Sequence, residues 1–481
     1  MVLQLTSCIQ VEVSYEAARL AKSAILGDSI AAQVQQYRLL PAYLERLKAA
    51  NPTVFTQLVV NDETSRFLRV FICPQPVSKA FTHLRGLVAT DGTHLRGAFV
   101  HTLLLAVEID AENHIVPLAW ALVESETESS WRWFLRKLCE AILEFDQPTT
   151  MLISDRDKGL QSADNQLENA QRAYCIQHIA ANVQAKYRIE PRRKFIACTY
   201  TMTEGAWNTA MDALKDIHRD AYMYVLGIHR HLWAPPFMTA KTWGHPTSNI
   251  VESINSLLLE DRKLAIVDLL NALWHKVMDL RFTRLNDATH KIATLRGQLH
   301  TEFALERLKD SLKFAQQRRV LCQDRLHGSV VSFSGASYTV DLENASCTCG
   351  RFQVNNIPCG HAIALINKLN LQPRDFIPKY FLLTTYKQTY TENLVAVNIA
   401  NLTPSGDDCY PPHLRKPRGR PKEKRLRKGE RCRREIAARA AAAGAIAEVP
   451  DNIVQRCSQC RGVGHNRTTC CEVVQFSIGG L

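Results

Sequence analysis

The sequence predicts an α/β core that contains an all-α insertion and is accompanied by small zinc-binding modules. Between residues 86 and 185, apolar strand patterns and amphipathic helical patterns follow one another in the order strand, strand, strand, helix, strand, helix. Between about 186 and 326 the pattern is almost only helical. Beyond residue 340, two clusters of cysteine and histidine have the spacing of metal ligands, which predicts the zinc modules.

The core strands are apolar runs bounded by polar turns. Residues 87–90, Thr102–Ile109 and Ile115–Val123 are joined by short turns, which predicts an antiparallel meander. Residues 126–143 predict an amphipathic helix, and Met151–Ser154 predicts a buried strand that is followed by a helix starting near residue 159. This order matches the core of an RNase H-like fold.

Composition and pattern divide the chain into successive segments. Residues 1–80 are predicted to be mostly helical, with a strand at 54–60, and residues 81–260 hold the core with a helical insertion at about 186–247. The remaining segments are a helical region at 261–326, a zinc module at 327–370, a linker at 371–414, a basic tail at 415–435 and a second cysteine cluster at 455–472.

The charge of the chain is concentrated in the basic tail. The formal net charge is +12, and residues 415–435 contain twelve Lys or Arg against three Asp or Glu, a local net charge of +9. This concentration predicts a polyanion-binding tail, and a solvated disordered linker is the compatible alternative. No secretory signal or membrane-spanning run is found, so we expect an intracellular protein with reduced thiols, bound zinc and no membrane partner.

Two aspartates follow strands of the predicted core. Asp91 comes after the first strand and Asp155 after the fourth, so both side chains can meet at one sheet edge. Carboxylates there could hold the two Mg²⁺ ions, roughly 3.5–4 Å apart, that phosphodiester chemistry uses. Each acid also has an ordinary alternative, a turn for Asp91 and a helix cap for Asp155. Glu252, three residues after Asn249, is a third candidate and also fits a capping box.

The first cysteine cluster combines Cys347, Cys349, Cys359 and His361. Two short Cys-x-Cys and Cys-x-His pairs separated by nine residues supply the ligands of a tetrahedral structural zinc site. Predicted strands before the cluster and an apolar helix at 362–369 suggest a ββα frame that resembles a SWIM zinc finger. The alternative is four buried residues that meet by chance, and the sequence leaves open whether the partner of the finger is DNA or protein.

The second cluster has the spacing of a CCHC zinc knuckle. Its expected ligands are Cys457, Cys460, His465 and Cys470, and Cys471 could replace Cys470. Knuckles typically bind single-stranded nucleic acid or small partners.

The basic tail contains a motif that resembles an AT-hook. The Gly-Arg-Pro context lets the backbone enter the minor groove of A·T-rich DNA, whose negative potential attracts arginine. The same charges can serve as a nuclear localisation signal, and we expect both uses and a nuclear protein. The expected DNA-binding residues are Arg418, Gly419, Arg420 and Pro421.

Dense motifs in the core resemble the transposase domain of Mutator-like elements, the MULE family. They include Asp-Gly-Thr-His at 91–94, Ser-Trp-Arg-Trp-Phe at 130–134 and Ile-Ser-Asp-Arg-Asp-Lys-Gly-Leu at 153–160. The resemblance continues through Tyr-Cys-Ile-Gln-His at 174–178 and Thr-Ser-Asn-Ile-Val-Glu-Ser-Ile-Asn at 247–255. It covers most of residues 10–370.

The resemblance implies a DDE-type DNA transposase with Asp91, Asp155 and Glu252 as the catalytic acids. The implied cofactors are Mg²⁺ or Mn²⁺ at the acids. The implied reaction is hydrolysis at the element ends, which releases a 3′-hydroxyl, followed by in-line attack of that hydroxyl on target DNA. The family also carries a Cys-x2-His motif, matched by Cys175 and His178, which could bind a metal, contact DNA or pack in the core.

The expected partners are double-stranded DNA, both terminal repeats and target, and further copies of the chain. A domesticated DNA-binding transcription regulator that keeps the fold without the chemistry is the alternative, and the presence of all three acids favours the enzyme. A zinc-dependent RNA- or protein-binding module would explain the tail but not the acids. Family members usually carry a zinc-containing DNA-binding domain before the helical N-terminal region, and this sequence begins without it. Three explanations stay open: a truncated copy, a gene start further upstream, or recognition of the terminal repeats by the tail.

Overall fold

A seven-stranded mixed β-sheet is the centre of the structure, a computed structural model. The structure describes residues 30–97, 99–238, 241–244, 261–295, 297–315, 319–332 and 335–413. The strands of the sheet are β1 (Phe55–Val60), β2 (Phe67–Cys73), β3 (Leu87–His94), β4 (Thr102–Ile109), β5 (Ile115–Val123), β6 (Met151–Ser154) and β7 (Gln171–Tyr174).

The strands of this sheet lie in the order β1-β2-β5-β4-β3-β6-β7. Strands β1 to β5 pair antiparallel, whereas β6 pairs parallel with both β3 and β7. The parallel pairing becomes possible because a helical crossover connects β5 to β6. Strands β4, β5 and β6 have the bounds predicted from the sequence, and the protein is of the mixed α/β class.

Helices cover both faces of the sheet because most strand residues are apolar on both sides. One face packs against α3 (Glu128–Ala141), whose residues Trp131, Phe134 and Leu138 lie at helical spacing and are buried. The opposite face packs against α1 (Ile30–Ala50) and the long helix α9 (Ile266–Thr294). A short helix, α2 (Gln75–Ala80), connects β2 to the core strand β3.

A set of helices follows the last strand of the sheet. The helix α4 (Lys158–Ser162) lies between β6 and β7. The helices after β7 are α5 (Ile176–Tyr187), α6 (Ile189–Thr199), α7 (Glu204–Ile217) and α8 (Arg219–Leu226), and they share a separate apolar cluster that includes Phe195, Trp207 and Trp233. The predicted insertion extends to about residue 247, and its part at 239–240 and 245–247 lies outside the described residues.

The predicted zinc module forms a small second sheet with two helices. The strands β8 (Arg319–Cys322), β9 (His327–Val331), β10 (Ser337–Asp341) and β11 (Ser346–Cys347) pair antiparallel in sequence order. The helices α11 (Arg351–Asn355) and α12 (Gly360–Lys368) follow, and α10 (Glu302–Lys313) precedes the module. Buried residues of α12, among them Leu365, pack on Val330 and Val340 of the strands.

Two segments differ from the sequence prediction. Residues 67–73, assigned to a mostly helical N-terminal region, form β2, which joins the main sheet because Val70 pairs with Leu122 of β5, whereas the strand predicted at 54–60 is β1. The expected linker at 371–414 contains α13 (Leu383–Tyr390), which packs on α9; the hydroxyl group of Tyr390 donates a 2.7 Å hydrogen bond to buried Asp110. Within the described residues, no helix is long and apolar enough to cross a membrane.

Candidate acidic site and zinc centre

The parallel pairing of β3 with β6 aligns the two candidate aspartates. The register pairs Leu87 with Met151 and Ala89 with Ile153, so two residues further along each chain Asp91 comes opposite Asp155. Asp91 lies within β3 rather than at its end, because β4 extends the antiparallel pairing as far as His94. The structure therefore brings Asp91 and Asp155 to one region of the sheet.

The loop after β6 holds Asp155 in a defined position. Its Oδ1 atom accepts a 3.0 Å hydrogen bond from the backbone N–H of Asp157, and Asp157 caps α4 by accepting a hydrogen bond from Leu160 N at 3.1 Å. Burial raises the pKa of Asp155, and the neighbouring Asp157 carboxylate adds to this effect. The Asp157 N–H and His178 partly offset the rise.

The Cys-x2-His pair lies next to the aspartates. Cys175 is buried at the start of α5, and its N–H donates a 2.7 Å hydrogen bond to the carbonyl of Ser154. A hydrogen bond with Cys175 raises the pKa of His178 to about 9, and the carboxylates of Asp91 and Asp155 contribute in the same direction. Cys175 and His178 thus form part of the surroundings of the two acids.

A further acid, Glu126, was not among the residues predicted from the sequence. It lies in the loop between β5 and α3, and a Cβ atom added to Gly92 would come within 2.6 Å of its Oε1 atom. Partial burial raises the pKa of Glu126 to about 7, and the carboxylates of Asp157, Asp155 and Asp91 raise it as well. The sequence signal that could have identified Glu126 is its position shortly after the third predicted strand, since an acid after a strand was the criterion that selected Asp155.

The remaining predicted nucleic-acid residues lie outside the described residues. These are Glu252, the knuckle residues Cys457, Cys460, His465 and Cys470, and the AT-hook residues Arg418, Gly419, Arg420 and Pro421.

The donor chemistry of the acidic site fits a hard divalent cation. Carboxylate oxygens are the ligands that Mg²⁺ prefers, and the acids close to Asp91 and Asp155 supply more of them. Burial raises the pKa of Glu126 first, and the carboxylates of Asp157, Asp155 and Asp91 add to the rise, as expected where carboxylates repel one another. A divalent cation between them would remove the repulsion.

The four predicted ligands of the first zinc site meet in the structure. One ligand atom from each of Cys347, Cys349, Cys359 and His361 lies within 4.8 Å of all the others, and in the described ranges this is the one group of three or more such residues gathered so closely. The Sγ atom of Cys347 lies 3.7 Å from Nδ1 of His361, and the Cys349 and Cys359 sulfurs are 3.6 Å apart. This Cys₃His set suits tetrahedral zinc.

Local geometry holds these ligands in place. Cys359 caps α12, where its Sγ atom accepts a 3.5 Å hydrogen bond from Ala362 N. The His361 ring stacks on Tyr338, with a centroid separation of 3.9 Å. Hydrogen bonds from the neighbouring Cys347 and Cys359 thiols lower the pKa of Cys349, which favours the thiolate that a metal requires.

A cleft of about 730 Å³ lies beside the zinc ligands rather than beside the acids. Its lining includes Tyr200, Phe314, Tyr338, Arg307 and Arg351.

Comparisons with known families match two segments of the chain. Residues 338–370 match the SWIM zinc finger, and this range contains all four clustered zinc ligands. Residues 87–182 match the MULE transposase domain, a range that contains Asp91, Glu126, Asp155, Cys175 and His178 and ends before Glu252. No curated protein matches the chain. The chain therefore contains a MULE transposase domain and a SWIM zinc finger, with a zinc-binding residue set in the finger.

Proposed function

We propose that this protein is a Mutator-like transposase of the DDE type, which cuts DNA at the ends of a mobile element and joins those ends to target DNA. The main support is the alignment of Asp91 with Asp155 across β3 and β6, inside the segment that matches the MULE transposase domain. An RNase H-like core is part of the proposal. It is supported by the antiparallel meander β3–β4–β5 with the parallel strands β6 and β7 beside β3.

In this mechanism Asp91, Asp155 and Glu252 would hold two divalent cations, Mg²⁺ or Mn²⁺. Such cations activate the attacking oxygen and stabilise the leaving oxygen of a phosphodiester. In the first step a water oxygen forms a bond to phosphorus and the 3′ oxygen leaves as a hydroxyl. In the second step that 3′-hydroxyl oxygen attacks a target phosphodiester and the target 3′ oxygen leaves, so no external energy source is required.

Positive groups near the acids support DNA as the substrate. The guanidinium group of Arg262 lies near Asp91 and near Arg96, and burial and Arg96 lower the pKa of Arg262. Lys186, Arg188 and Arg193 at the junction of α5 and α6 are exposed. A cation beside Asp91 attracts the phosphates of a strand that approaches the carboxylates, and exposed cations elsewhere on the domain add to the attraction for DNA.

The C-terminal tail is proposed to bind nucleic acid and to direct the protein to the nucleus. The motif at 418–421 would enter an A·T-rich minor groove, the knuckle at 457–470 would bind a second zinc ion and single-stranded nucleic acid, and the basic charges would direct the protein to the nucleus. Joining two element ends to one target requires two active sites, so we propose a homo-oligomer.

The test is a cleavage and strand-transfer assay with DNA that carries the sequences flanking the gene in its own genome. Wild-type protein should cut and join this DNA only with Mg²⁺ or Mn²⁺, and Asp91→Asn, Asp155→Asn and Glu252→Gln should each abolish both steps. Glu128→Gln is the matched control, because Glu128 is exposed and pairs with Arg132. DNA binding without any metal-dependent cleavage by the wild type would overturn the enzyme and favour the transcription regulator.

A further inference from the structure

Two glycines, one in β3 and one in α4, lie against the loop between β5 and α3. Gly92 in β3 lies under the carboxylate of Glu126, with 2.6 Å between an added Cβ and Oε1. At Gly159, an added Cβ would lie 2.7 Å from the carbonyl carbon of Thr127 and 2.8 Å from the nitrogen of Glu128. The clash at Gly159 is with backbone atoms, so that position needs glycine for the loops to pack, whereas an alanine at position 92 would push aside the end of the Glu126 side chain.

The loop that carries Glu126 is held on both sides. Before it, Glu124 forms an ion pair with Arg69 at 2.6 Å, and the Ser125 carbonyl accepts a 2.7 Å hydrogen bond from the hydroxyl of Ser130. After it, the Thr127 hydroxyl caps α3 by accepting a hydrogen bond from Ser130 N at 3.3 Å. A carboxylate in such a loop is oriented before any ligand arrives.

The held carboxylate lies beside the aspartates. Its Oε1 atom stands over Gly92, the residue after Asp91, and the backbone that follows it packs on Gly159, four residues after Asp155. In agreement with this geometry, the pKa of Glu126 is raised by burial first and then by the nearby carboxylates. Asp157 is engaged as the cap of α4. A side chain at position 92 would displace the Glu126 carboxylate from its place beside Asp91.

We propose that Glu126 is a further carboxylate ligand of the divalent cations held by Asp91 and Asp155. The inference rests on the proposed function and adds a ligand that the triad of Asp91, Asp155 and Glu252 does not include. The alternative is that Glu126 stabilises α3, because a negative charge near the N-terminus of a helix interacts favourably with the helix dipole.

The experiment is a titration of the full-length protein, purified with its zinc, with Mn²⁺, in which electron paramagnetic resonance measures free Mn²⁺ and no DNA is present. We expect Glu126→Gln to weaken Mn²⁺ binding by about tenfold or more, since even partners outside the ligand shell have effects of that size. Gly92→Ala should weaken binding in the same direction although it removes no carboxylate, because the added Cβ displaces Glu126. Glu128→Gln should bind Mn²⁺ as the wild type does.

The outcomes separate the two proposals. Wild-type affinity in both Glu126→Gln and Gly92→Ala, together with weakened binding in Asp155→Asn, would overturn the role of Glu126 and leave the proposed function standing. No Mn²⁺ binding by the wild type would overturn both. A lower melting temperature of Glu126→Gln with unchanged Mn²⁺ affinity would assign Glu126 to the helix end instead.

Discussion

The Oδ1 atom of Asp155 accepts a hydrogen bond from the backbone N–H of Asp157 at a distance of 3.0 Å. This contact orients the Asp155 side chain in the loop after β6, opposite Asp91 of β3. An asparagine could accept the same hydrogen bond through its amide oxygen. The variant Asp155→Asn therefore separates the role of the negative charge from the role of the loop geometry.

For Asp155→Asn we expect loss of metal-dependent cleavage without loss of stability. Burial and the Asp157 carboxylate raise the pKa of Asp155, so its charged form is disfavoured in the folded protein. The free energy of unfolding in the absence of divalent cations should accordingly stay equal or rise. Chemical denaturation checks this, and a destabilised variant would indicate that the carboxylate is a structural group.

For Cys359→Ser we expect the loss of one zinc ion per chain. The wild type should contain two, one at the described Cys₃His group and one at the proposed knuckle, so Cys460→Ser should also lose one. Because metal binding and folding are coupled in such small modules, Cys359→Ser should also make residues 319–370 sensitive to protease. Elemental analysis gives the zinc content.

Cys322→Ser is the matched control for the finger, because Cys322 is an exposed cysteine of β8 that lies outside the ligand group. Its zinc content should equal that of the wild type. Fewer than two zinc ions in the wild type would contradict at least one of the two sites.

For Glu108→Gln we expect a weaker dependence of stability on pH. Burial raises the pKa of Glu108 from 4.5 to about 8, although Leu87 N donates a 2.8 Å hydrogen bond to its Oε1 atom. The Glu108 carboxyl group thus binds its proton more tightly in the folded protein than in the unfolded chain. The stability that the protonated group contributes is fully present below about pH 4.5 and is lost as pH rises to about 8.

The change over that pH range should be on the order of 5 kcal/mol, since each pKa unit corresponds to about 1.36 kcal/mol. The glutamine side chain in the variant keeps an oxygen for Leu87 and carries no titratable proton, so the unfolding free energy of the variant should vary less between pH 5 and pH 8. Urea denaturation at several pH values measures the difference. Glu63→Gln, at an exposed turn position, should keep the dependence of the wild type.

For Gly350→Ala we expect the zinc finger to separate from the helical region. A Cβ added to Gly350 would lie 2.3 Å from the carbonyl oxygen of Met202, and its φ of +79° is already unfavourable for alanine. Faster hydrogen exchange in residues 200–206 would report the separation. Gly335→Ala is the control. Gly335 also has a positive φ, +82°, but a Cβ added to it meets nothing within 4 Å, so hydrogen exchange in residues 200–206 should stay unchanged in this variant.

Much of the core could be predicted from local patterns. The apolar runs at Thr102–Ile109, Ile115–Val123 and Met151–Ser154 became strands with those bounds, because such runs are long enough for one strand and end at polar turns. The four zinc ligands meet as their spacing predicted, because they lie within 15 consecutive residues. Strand β7 was not predicted, since its four residues, Gln171 to Tyr174, show no clear apolar pattern.

By itself, the sequence determined the α/β class, the approximate strands and the ligands of the finger, because these depend on short-range pattern and spacing. It also singled out Asp91 and Asp155, but their alignment depends on the pairing of β3 with β6. Only the tertiary structure decided that residues 55–73 extend the sheet, that α13 packs on the core, and that Glu126 lies over Gly92. Each of these depends on contacts between residues far apart in the chain. Glu126 and Gly92 are separated by 33 intervening residues and meet only because β5 pairs with β4 and β4 with β3.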